Sequence, residues 1–403
     1  MTRDLRPETL VARAGVATDP SHRDASPPLH LASTFGWRDP VEKPAFDYSR
    51  SGNPTRSELG QALADLEGAS IGIVTASGMA AVDLPLNLVS PGDLVIAPHD
   101  CYGGTFRLLS AHARRGDFRV EFVNQTDASA LARALAKRPK LVFIETPSNP
   151  LLRITDIAAA AAAARAAGAV VVADNTFLSP ALQQPLSLGC DVVVHSTTKY
   201  INGHSDVVGG AVLVRDRSLG DELAWWANCR GVTGAPFDSY MTLRGLRTLF
   251  PRIERQQETA DAVARALSAD DRVAKVYYPG LASHPGHELA RRQQSGFGAM
   301  LSVEFADGVD ALGVLRALEI FTIAESLGGF ESLVCTPATM THAAMTPEAR
   351  RLAGISDRLV RFSIGLEHPH DLIRDIFAAL DSVAAPSPGR VACLRKWDEA
   401  HAC

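Results

Sequence analysis

The sequence predicts an α/β protein in which helices cover both faces of a mostly parallel, seven-stranded sheet. Apolar strands alternate with helical segments through residues 71–214, which is the β-α-β order of such a sheet. Two of the strands, 170–174 (VVVAD) and 192–195 (VVVH), are valine runs that end in a polar residue. Continuous apolar runs without alternating polar residues are typical of parallel strands that are buried on both faces.

The predicted elements of this sheet follow one another in a regular order. A helix at 57–67 comes first, and a crossover helix is predicted over the alanine-rich residues 157–168, because alanine is the strongest helix former and Gly168 supplies a stop. The strands are predicted at 71–75, 94–98, 120–124, 141–145, 170–174, 192–195 and 211–214.

The second half of the chain predicts a smaller α+β domain. A long helix at 251–267 leads into it, and an irregular stretch runs to residue 346. Further strands are predicted at 273–278, 299–305 and 359–364, and further helices at 309–317 and 371–384.

These patterns divide the chain into four parts. Residues 1–56 form an arm rich in Pro, Ser, His and Gly, which we expect to be irregular and to contact a neighbouring subunit. Residues 57–250 form a large domain and residues 251–385 a small C-terminal domain. The polar tail, 386–403, has no apolar period and is expected to be disordered.

Composition excludes several classes of function. The net charge is −5 and no basic segment is dense enough to suggest nucleic-acid binding. The six cysteines are scattered without a Cys-x-x-Cys pair, which argues against a disulfide scaffold and against a zinc site. No apolar run is long enough to span a membrane, and the first residues lack a signal core, so we expect a cytoplasmic protein.

Lys199 is the strongest candidate for a chemical role. Of six lysines, it alone follows a fully apolar strand with no cation nearby, in residues 191–200 (DVVVHSTTKY). Chemistry in open α/β sheets lies beyond the carboxyl ends of the strands. Burial there would lower the pKa of the amine and make it a nucleophile. The alternative is a lysine in a solvated loop.

Neighbouring residues suit a pyridoxal phosphate (PLP) site. Ser196 and Thr198 can hold a phosphate, and Asp174, at the end of another strand, can face a pyridine nitrogen. In residues 76–80 (ASGMA), Ser77 and Gly78 open a helix whose backbone N–H groups can approach a phosphate. The alternatives are an ordinary N-cap and a solvated aspartate.

Other polar and aromatic residues have possible roles in such a site. Tyr102 could stack on a planar cofactor, and Asn149 could contact the cofactor ring or the substrate. Tyr48 and Arg50 could both donate to one phosphate, although their segment also has turn chemistry. Arg361 lies within an apolar strand and could bind a substrate carboxylate, or else pair with a distant acid.

Several blocks of residues, taken together and in order, match a known family. They are 47–56, 97–104, 145–151, 174–180, 195–206, 231–240, 324–333 and 338–343. Over about residues 31–383 the chain resembles the Cys/Met-metabolism PLP enzymes of fold type I. This resemblance implies the PLP-dependent transferase fold and PLP as the cofactor.

The resemblance also implies roles for individual residues. Lys199 would hold PLP as a Schiff base and move protons, Tyr102 would stack on the ring and act as a base, and Asp174 would bind the ring nitrogen. The phosphate would be held by Gly78, Met79, Ser196 and Thr198 and, from a neighbouring subunit, by Tyr48 and Arg50. The amino-acid end of the substrate would be bound by Asn149, Ser326 and Arg361. Such shared sites require at least a dimer, and the family is typically a homotetramer.

The resemblance narrows the activity to two reactions within the family. Glu325, before Ser326, is similar to the branches that replace or eliminate a group at Cγ, and Gly104 stands where methionine γ-lyases commonly carry cysteine. The implied reaction is replacement of the acyl group of O-succinyl- or O-acetyl-L-homoserine by L-cysteine, giving L-cystathionine. The alternative is γ-elimination from cystathionine; a non-catalytic relative would have lost Lys199 or Asp174.

One departure from the family pattern affects the prediction of the acyl donor. Some relatives that use the succinyl donor carry a second arginine directly after the position of Arg50, and this chain has Ser51 there. Arg107 is then the candidate for the acyl carboxylate. Glu325 is a further candidate for substrate contact.

Overall fold

The computed structural model describes residues 5–343 and 345–383, so the predicted tail at 386–403 lies outside the described residues. The strands are β1 Ile71–Thr75, β2 Leu94–Pro98, β3 Arg119–Val123, β4 Leu141–Glu145, β5 Val170–Asp174, β6 Val192–His195, β7 Gly210–Val214, β8 Val273–Tyr277, β9 Met300–Phe305, β10 Thr322–Ile323, β11 Leu333–Cys335 and β12 Leu359–Ser363. The helices are α1 Pro7–Ala12, α2 Pro54–Glu67, α3 Gly78–Asp83, α4 Gly103–Arg115, α5 Ala128–Leu135, α6 Ile157–Ala166, α7 Ser179–Leu182, α8 Arg217–Arg230, α9 Pro236–Leu246, α10 Leu249–Ser268, α11 His287–Gln293, α12 Ala311–Ala317, α13 Pro347–Ala353 and α14 Pro369–Val383, with a 3₁₀ turn at Leu84–Leu88. None of the helices in the described ranges is long and apolar enough to span a membrane.

The larger sheet confirms the predicted seven strands. Their order is β1-β7-β6-β5-β4-β2-β3. Neighbouring strands along the row β6-β5-β4-β2-β3 are parallel. Strand β7 is antiparallel to both of its neighbours, β1 and β6. This arrangement brings the carboxyl ends of β4, β5 and β6 to one edge, where ligands bind in open α/β sheets.

Helices cover both faces of this sheet, as the valine-rich strands predict. Along β4, Val142 and Ile144 enter one hydrophobic cluster while Leu141 and Phe143 enter another. The first cluster contains the buried face of α2, and the second contains buried residues of α4 and α8. Successive side chains of a strand point to opposite faces, so both faces of β4 lie in the protein interior.

A second sheet of five strands has the order β10-β11-β12-β9-β8. Its pairs are antiparallel except for β10 with β11. The sequence predicted β8, β9 and β12, whereas the stretch before residue 346, predicted to be irregular, contains the short strands β10 and β11. Strands of two and three residues are too short to show a period.

The N-terminal region departs from the prediction at two points. The arm, expected to be irregular, contains the short helix α1, and α2 begins at Pro54 and not at residue 57. The earlier start has a local cause, because the side chain of Asn53 accepts a hydrogen bond from the N–H of Arg56 and Pro54 occupies the first turn. The turn chemistry of residues 52–54 is therefore a helix cap.

Candidate active site

A pocket of about 430 Å³ opens at the carboxyl ends of β4, β5 and β6 and is bounded on its other side by residues beside the second sheet. Its volume lies within the range of roughly 300–1,000 Å³ that small-molecule sites occupy. The lining residues are Ser77, Gly78, Met79, Val82, Tyr102, Glu145, Pro147, Asn149, Asp174, Thr176, Phe177, Ser196, Thr198, Lys199, Val208, Glu325, Ser326, Leu327, Thr341 and Arg361.

Lys199 is mostly buried in this pocket, four residues beyond the end of β6. Burial lowers the pKa of its amine to about 8, with a further decrease from the positive charge of Arg361 and an opposing increase from Glu325. Its Nζ donates a hydrogen bond to Oγ of Ser326 at 2.6 Å. A substantial fraction of the amine is therefore neutral near pH 8 and can act as a nucleophile or a base.

Arg361 is buried beside this lysine and is oriented by neutral partners. Its guanidinium donates to Oδ1 of Asn149 at 2.9 Å and to the carbonyl of Ser326 at 3.0 Å. Ser326 has a φ of +96°, a strained backbone for a residue other than glycine. A buried arginine whose acceptors are neutral can receive a carboxylate as its counter-ion.

Asp174 and Glu145 lie side by side, since they are register partners at the ends of the parallel strands β5 and β4. Burial, and after it the charge of Asp174, raises the pKa of Glu145 well above its ordinary value. Burial also raises the pKa of Asp174, while hydrogen bonds from Thr176 and the charge of His195 lower it. Both carboxyl groups therefore hold a proton more readily than solvent-exposed carboxyl groups do.

The opposite end of the pocket is built for close approach to a phosphate. Ser77 caps α3, its Oγ accepting from the N–H of Ala80 at 3.1 Å, and the free N–H groups of the first turn face outward from the helix end. A Cβ on Gly78 would lie 2.5 Å from Cβ of Ser196, so only glycine fits there. The hydroxyl of Thr198 donates a hydrogen bond to the carbonyl of Gly209 and accepts one from the N–H of the same residue.

These features fit PLP. The pocket holds an amine of lowered pKa, a buried carboxylate for a pyridine nitrogen, and hydroxyl and N–H donors for a phosphate. Tyr102 borders the pocket with a partly exposed ring, and its backbone N–H donates to Oε2 of Glu145 at 2.8 Å. The tyrosine ring is therefore available at a wall of the pocket while its backbone is held.

Three predicted site residues do not line the pocket within one chain. Arg107 is exposed on α4 and does not line the pocket, and its contact with the acyl group stays a prediction. Arg50 donates to the carbonyl and to Oδ1 of Asn228, and its guanidinium lies 5.8 Å from the ring of the exposed Tyr48. Their contact with the cofactor of a neighbouring subunit stays a prediction.

The remaining predicted residues come together in the pocket: Ser77, Gly78, Met79, Tyr102, Asn149, Asp174, Ser196, Thr198, Lys199, Glu325, Ser326 and Arg361. The sequence did not single out Glu145, Thr176 or Thr341, which also line it. Glu145 could have been predicted as a site residue from its position at the end of a strand, which it shares with Asp174. Thr341 has no such signal, because its loop approaches the pocket only through tertiary packing.

Comparisons with known proteins agree with this site. Residues 8–381 match the Cys/Met metabolism PLP-dependent enzyme family. The chain is 53% identical to a cystathionine gamma-synthase of Escherichia coli (strain K12) over 93% of this chain and 97% of that protein.

Two solved structures show the same likeness in three dimensions. A cystathionine gamma synthase from Xanthomonas oryzae pv. oryzae, in complex with cystathionine, superposes with a TM-score of 0.93 at 54% identity, covering 94% of this chain and 98% of that one. A cystathionine gamma-lyase from Lactobacillus plantarum, complexed with L-serine, has a TM-score of 0.92 at 39% identity, covering 94% and 99%. The family predicted from the sequence is thereby confirmed: the chain belongs to the Cys/Met metabolism PLP-dependent enzymes.

Proposed function

We propose that the chain catalyses the reaction of a cystathionine γ-synthase. In this reaction L-cysteine replaces the acyl group of an O-acyl-L-homoserine, so that L-cystathionine and the free acid are formed. The observation that carries the proposal is the cluster of Lys199, Ser326 and Arg361, in which an amine of lowered pKa lies beside a fixed carboxylate receptor. The γ-synthase relatives, at 53% and 54% identity, support the same reaction.

PLP, when bound, supplies an electron sink that lets the Cα and Cβ protons of an amino acid leave. In the proposed site Asp174 holds the ring nitrogen, while Ser77, Gly78, Ser196 and Thr198 hold the phosphate. Tyr102 forms one wall against the ring. These residues orient the cofactor and the substrate, and orientation of this kind accounts for a large part of enzymatic rate enhancement.

The substrate's α-carboxylate pairs with Arg361, whose position is set by Asn149 and Ser326. Lys199 takes the proton from Cα, then moves a proton at Cβ, and the γ-acyloxy group departs as a carboxylate. The thiolate of L-cysteine adds at Cγ, and Lys199 returns the protons. Ser326 holds the amine of Lys199 in place between these transfers.

A γ-lyase acting on cystathionine is the second candidate, since a γ-lyase from Lactobacillus plantarum has nearly the same fold. Its identity of 39% is well below that of the γ-synthases. Gly104 argues further against a methionine γ-lyase, because a Cβ there would lie 2.5 Å from the ring of Tyr102 and 2.8 Å from Sδ of Met79. A cysteine at this position would displace the tyrosine.

The proposal includes an oligomer with shared sites, built from at least a dimer and in the family's usual form a tetramer. The arm at residues 1–56 reaches a neighbouring subunit, where Tyr48 and Arg50 contact the phosphate of a site formed between domains 57–250 and 251–385. Both side chains are exposed in the single chain, which supports this role. The free cysteines among the described residues support a reducing, cytoplasmic location.

The proposal is tested by incubating the purified PLP-loaded protein with O-succinyl-L-homoserine and L-cysteine and following L-cystathionine by mass spectrometry. Cysteine-dependent formation of cystathionine with release of succinate is expected. O-acetyl-L-homoserine in a parallel incubation identifies the preferred acyl donor. Absence of cystathionine with both donors would reject the proposal.

A further inference from the structure

His342 is a fully buried histidine that connects two loops beside the candidate substrate site. It lies in the loop that follows β11 of the second sheet, and its exposed fraction is 0%. Nε2 of its ring lies 3.1 Å from the carbonyl oxygen of Asn149, in the loop that follows β4 of the large sheet. Both loops contribute residues to the wall of the pocket, namely Thr341 and Asn149.

The partners of the ring determine which of its nitrogen atoms donates. A carbonyl oxygen can only accept, so Nε2 of His342 carries a hydrogen and donates it to Asn149. Nδ1 lies 2.9 Å from Oγ1 of Thr341, a hydroxyl that can donate to it. Burial lowers the pKa of His342 to about 4, with a further decrease from the positive charge of Arg361, which agrees with an accepting Nδ1. The donor at Nε2 is present whether or not Nδ1 is also protonated.

Asn149 links this histidine to the proposed carboxylate receptor. Its carbonyl accepts from His342, and its side-chain Oδ1 accepts from the guanidinium of Arg361 at 2.9 Å. Asn149 and Arg361 are both buried, so neither group can readily exchange its partner for bulk water. A shift of the Asn149 backbone would move the amide oxygen that orients the guanidinium. The backbone of the loop and the direction of the guanidinium are therefore linked through one residue.

We propose that His342 is a positioning residue for binding of the substrate carboxylate. Its Nε2–H holds the carbonyl of Asn149, so that Oδ1 of the same asparagine stays directed at the guanidinium of Arg361. The inference deepens the proposed function and rests on its assignment of Arg361 to the α-carboxylate of the amino-acid substrate.

A purely structural role in holding the loop is the competing explanation. The two neighbours of Asn149 along the chain have anchors of their own. Oγ of Ser148 donates to Oδ2 of Asp100 at 2.7 Å, and Oγ of Ser302 donates to the carbonyl of Pro150 at 2.6 Å. If the histidine only added to this anchoring, its loss would weaken binding of every ligand that fits the pocket. A positioning role acts on the carboxylate and leaves a ligand without that group unaffected.

The two roles are separated by comparing L-alanine with L-alaninol, in which a hydroxymethyl group replaces the carboxylate. Neither compound carries an acyl group to be displaced, and the dissociation constants of both from the PLP-loaded protein are measured by the absorbance change of the cofactor. His342→Leu removes the donor, and His342→Gln keeps an amide N–H that can reach the carbonyl of Asn149. His287→Leu is the matched control, because Nδ1 of His287 also contacts a backbone carbonyl, that of Pro279 at 2.8 Å, and the residue does not line the pocket.

The expected result for His342→Leu is a fall of about 3–10-fold in the preference for L-alanine over L-alaninol, the factor that one hydrogen bond contributes. His342→Gln and His287→Leu should keep the preference within about twofold of the wild type. An unchanged preference in His342→Leu, or an equal loss of affinity for both ligands, would overturn the inference. So would a His342→Gln variant that loses as much of the preference as His342→Leu, because the donor would then not be the cause.

Two further variants keep the test decisive. PLP content is measured first, and if His342→Leu fails to load PLP, His342→Asn takes its place, since its shorter amide ends near the position of Nδ1 and does not reach Asn149. The same fall in preference is expected, and the same outcomes overturn the inference. Arg361→Gln should lower the preference at least as much. If it does not, Arg361 does not bind the carboxylate and the inference fails with that assignment, while the cystathionine assay still tests the reaction.

Discussion

Nζ of Lys199 lies 2.6 Å from Oγ of Ser326, and this contact joins the end of the large sheet to the loop between β10 and β11 of the second sheet. Ser326 holds the lysine from a backbone with a φ of +96°. Its carbonyl also accepts from Arg361, so one residue positions both the amine and the guanidinium. A single strained residue therefore contacts both the amine that is proposed to transfer protons and the guanidinium that is proposed to bind the substrate carboxylate.

Replacing Ser326 with alanine removes the acceptor for the amine of Lys199. A hydrogen bond to a charged group contributes about 1.5–3 kcal/mol, so kcat is expected to fall roughly 10–100-fold. Steady-state kinetics of cystathionine formation measures the change. Ser205→Ala is the matched control, since Ser205 also has a positive φ and a side-chain hydrogen bond but does not line the pocket. An equal fall of kcat in both variants would contradict a specific role of Ser326 in holding the amine of Lys199.

The lowered pKa of Lys199 predicts how covalent capture of PLP by the cofactor-free protein depends on pH. Only the neutral amine is nucleophilic, and its pKa is lowered from 10.5 to about 8, so the capture rate should rise with pH and reach half its maximum near pH 8. Stopped-flow absorbance measures this rate. Lys199→Ala should show no covalent capture, and borohydride should fail to fix the cofactor in it. A midpoint near pH 10.5 would show that the amine is not desolvated.

Replacing Arg361 with lysine tests the carboxylate receptor. Lysine keeps the charge but loses the planar pair of donors, and it cannot reach both Asn149 and Ser326 in the same way. KM for the O-acyl-homoserine should rise roughly 10–100-fold with a smaller change in kcat, because carboxylate binding is present in both ground and transition states. Arg358→Lys, three residues earlier and paired with Asp307, is the control. An unchanged KM would remove Arg361 from the substrate site.

Mixing two inactive variants tests the shared site. If Arg50 of one subunit serves the pocket of another, a hybrid of Lys199→Ala and Arg50→Ala subunits contains one complete site. Co-refolded or co-expressed mixtures should then recover about a quarter of wild-type activity, as random pairing in a dimer predicts. The baseline is the activity of each variant alone and of the two purified variants mixed without exchange of subunits. Failure to regain activity after demonstrated exchange would place the role of Arg50 within its own subunit.

Much of the site could be predicted because its residues follow apolar strands. Asp174 ends one valine-rich strand and Lys199 lies four residues beyond the end of another, and the carboxyl ends of parallel strands meet at one edge, so the strand pattern and the topology together predicted that they lie close. Arg361 was singled out as a charge within an apolar strand. These inferences needed only local pattern and a general property of α/β sheets.

Other features had no local signal. The contact between Glu67 and His195 spans 128 positions and depends on how α2 packs against the sheet. Glu67 reads in sequence as an ordinary helix-ending glutamate, and its burial follows only from the fold. The exposure of Arg107 on α4 had no local signal either, because an exposed helix face and a pocket-facing one cannot be told apart from a single charged residue.

The central claim, replacement at Cγ in preference to elimination, is tested most directly by a paired assay on the PLP-loaded protein. One incubation contains O-succinyl-L-homoserine with L-cysteine, and the other contains L-cystathionine alone. The account predicts rapid formation of cystathionine in the first and little 2-oxobutyrate in the second. Rapid release of 2-oxobutyrate from cystathionine, with poor synthesis in the first incubation, would contradict it and identify a γ-lyase.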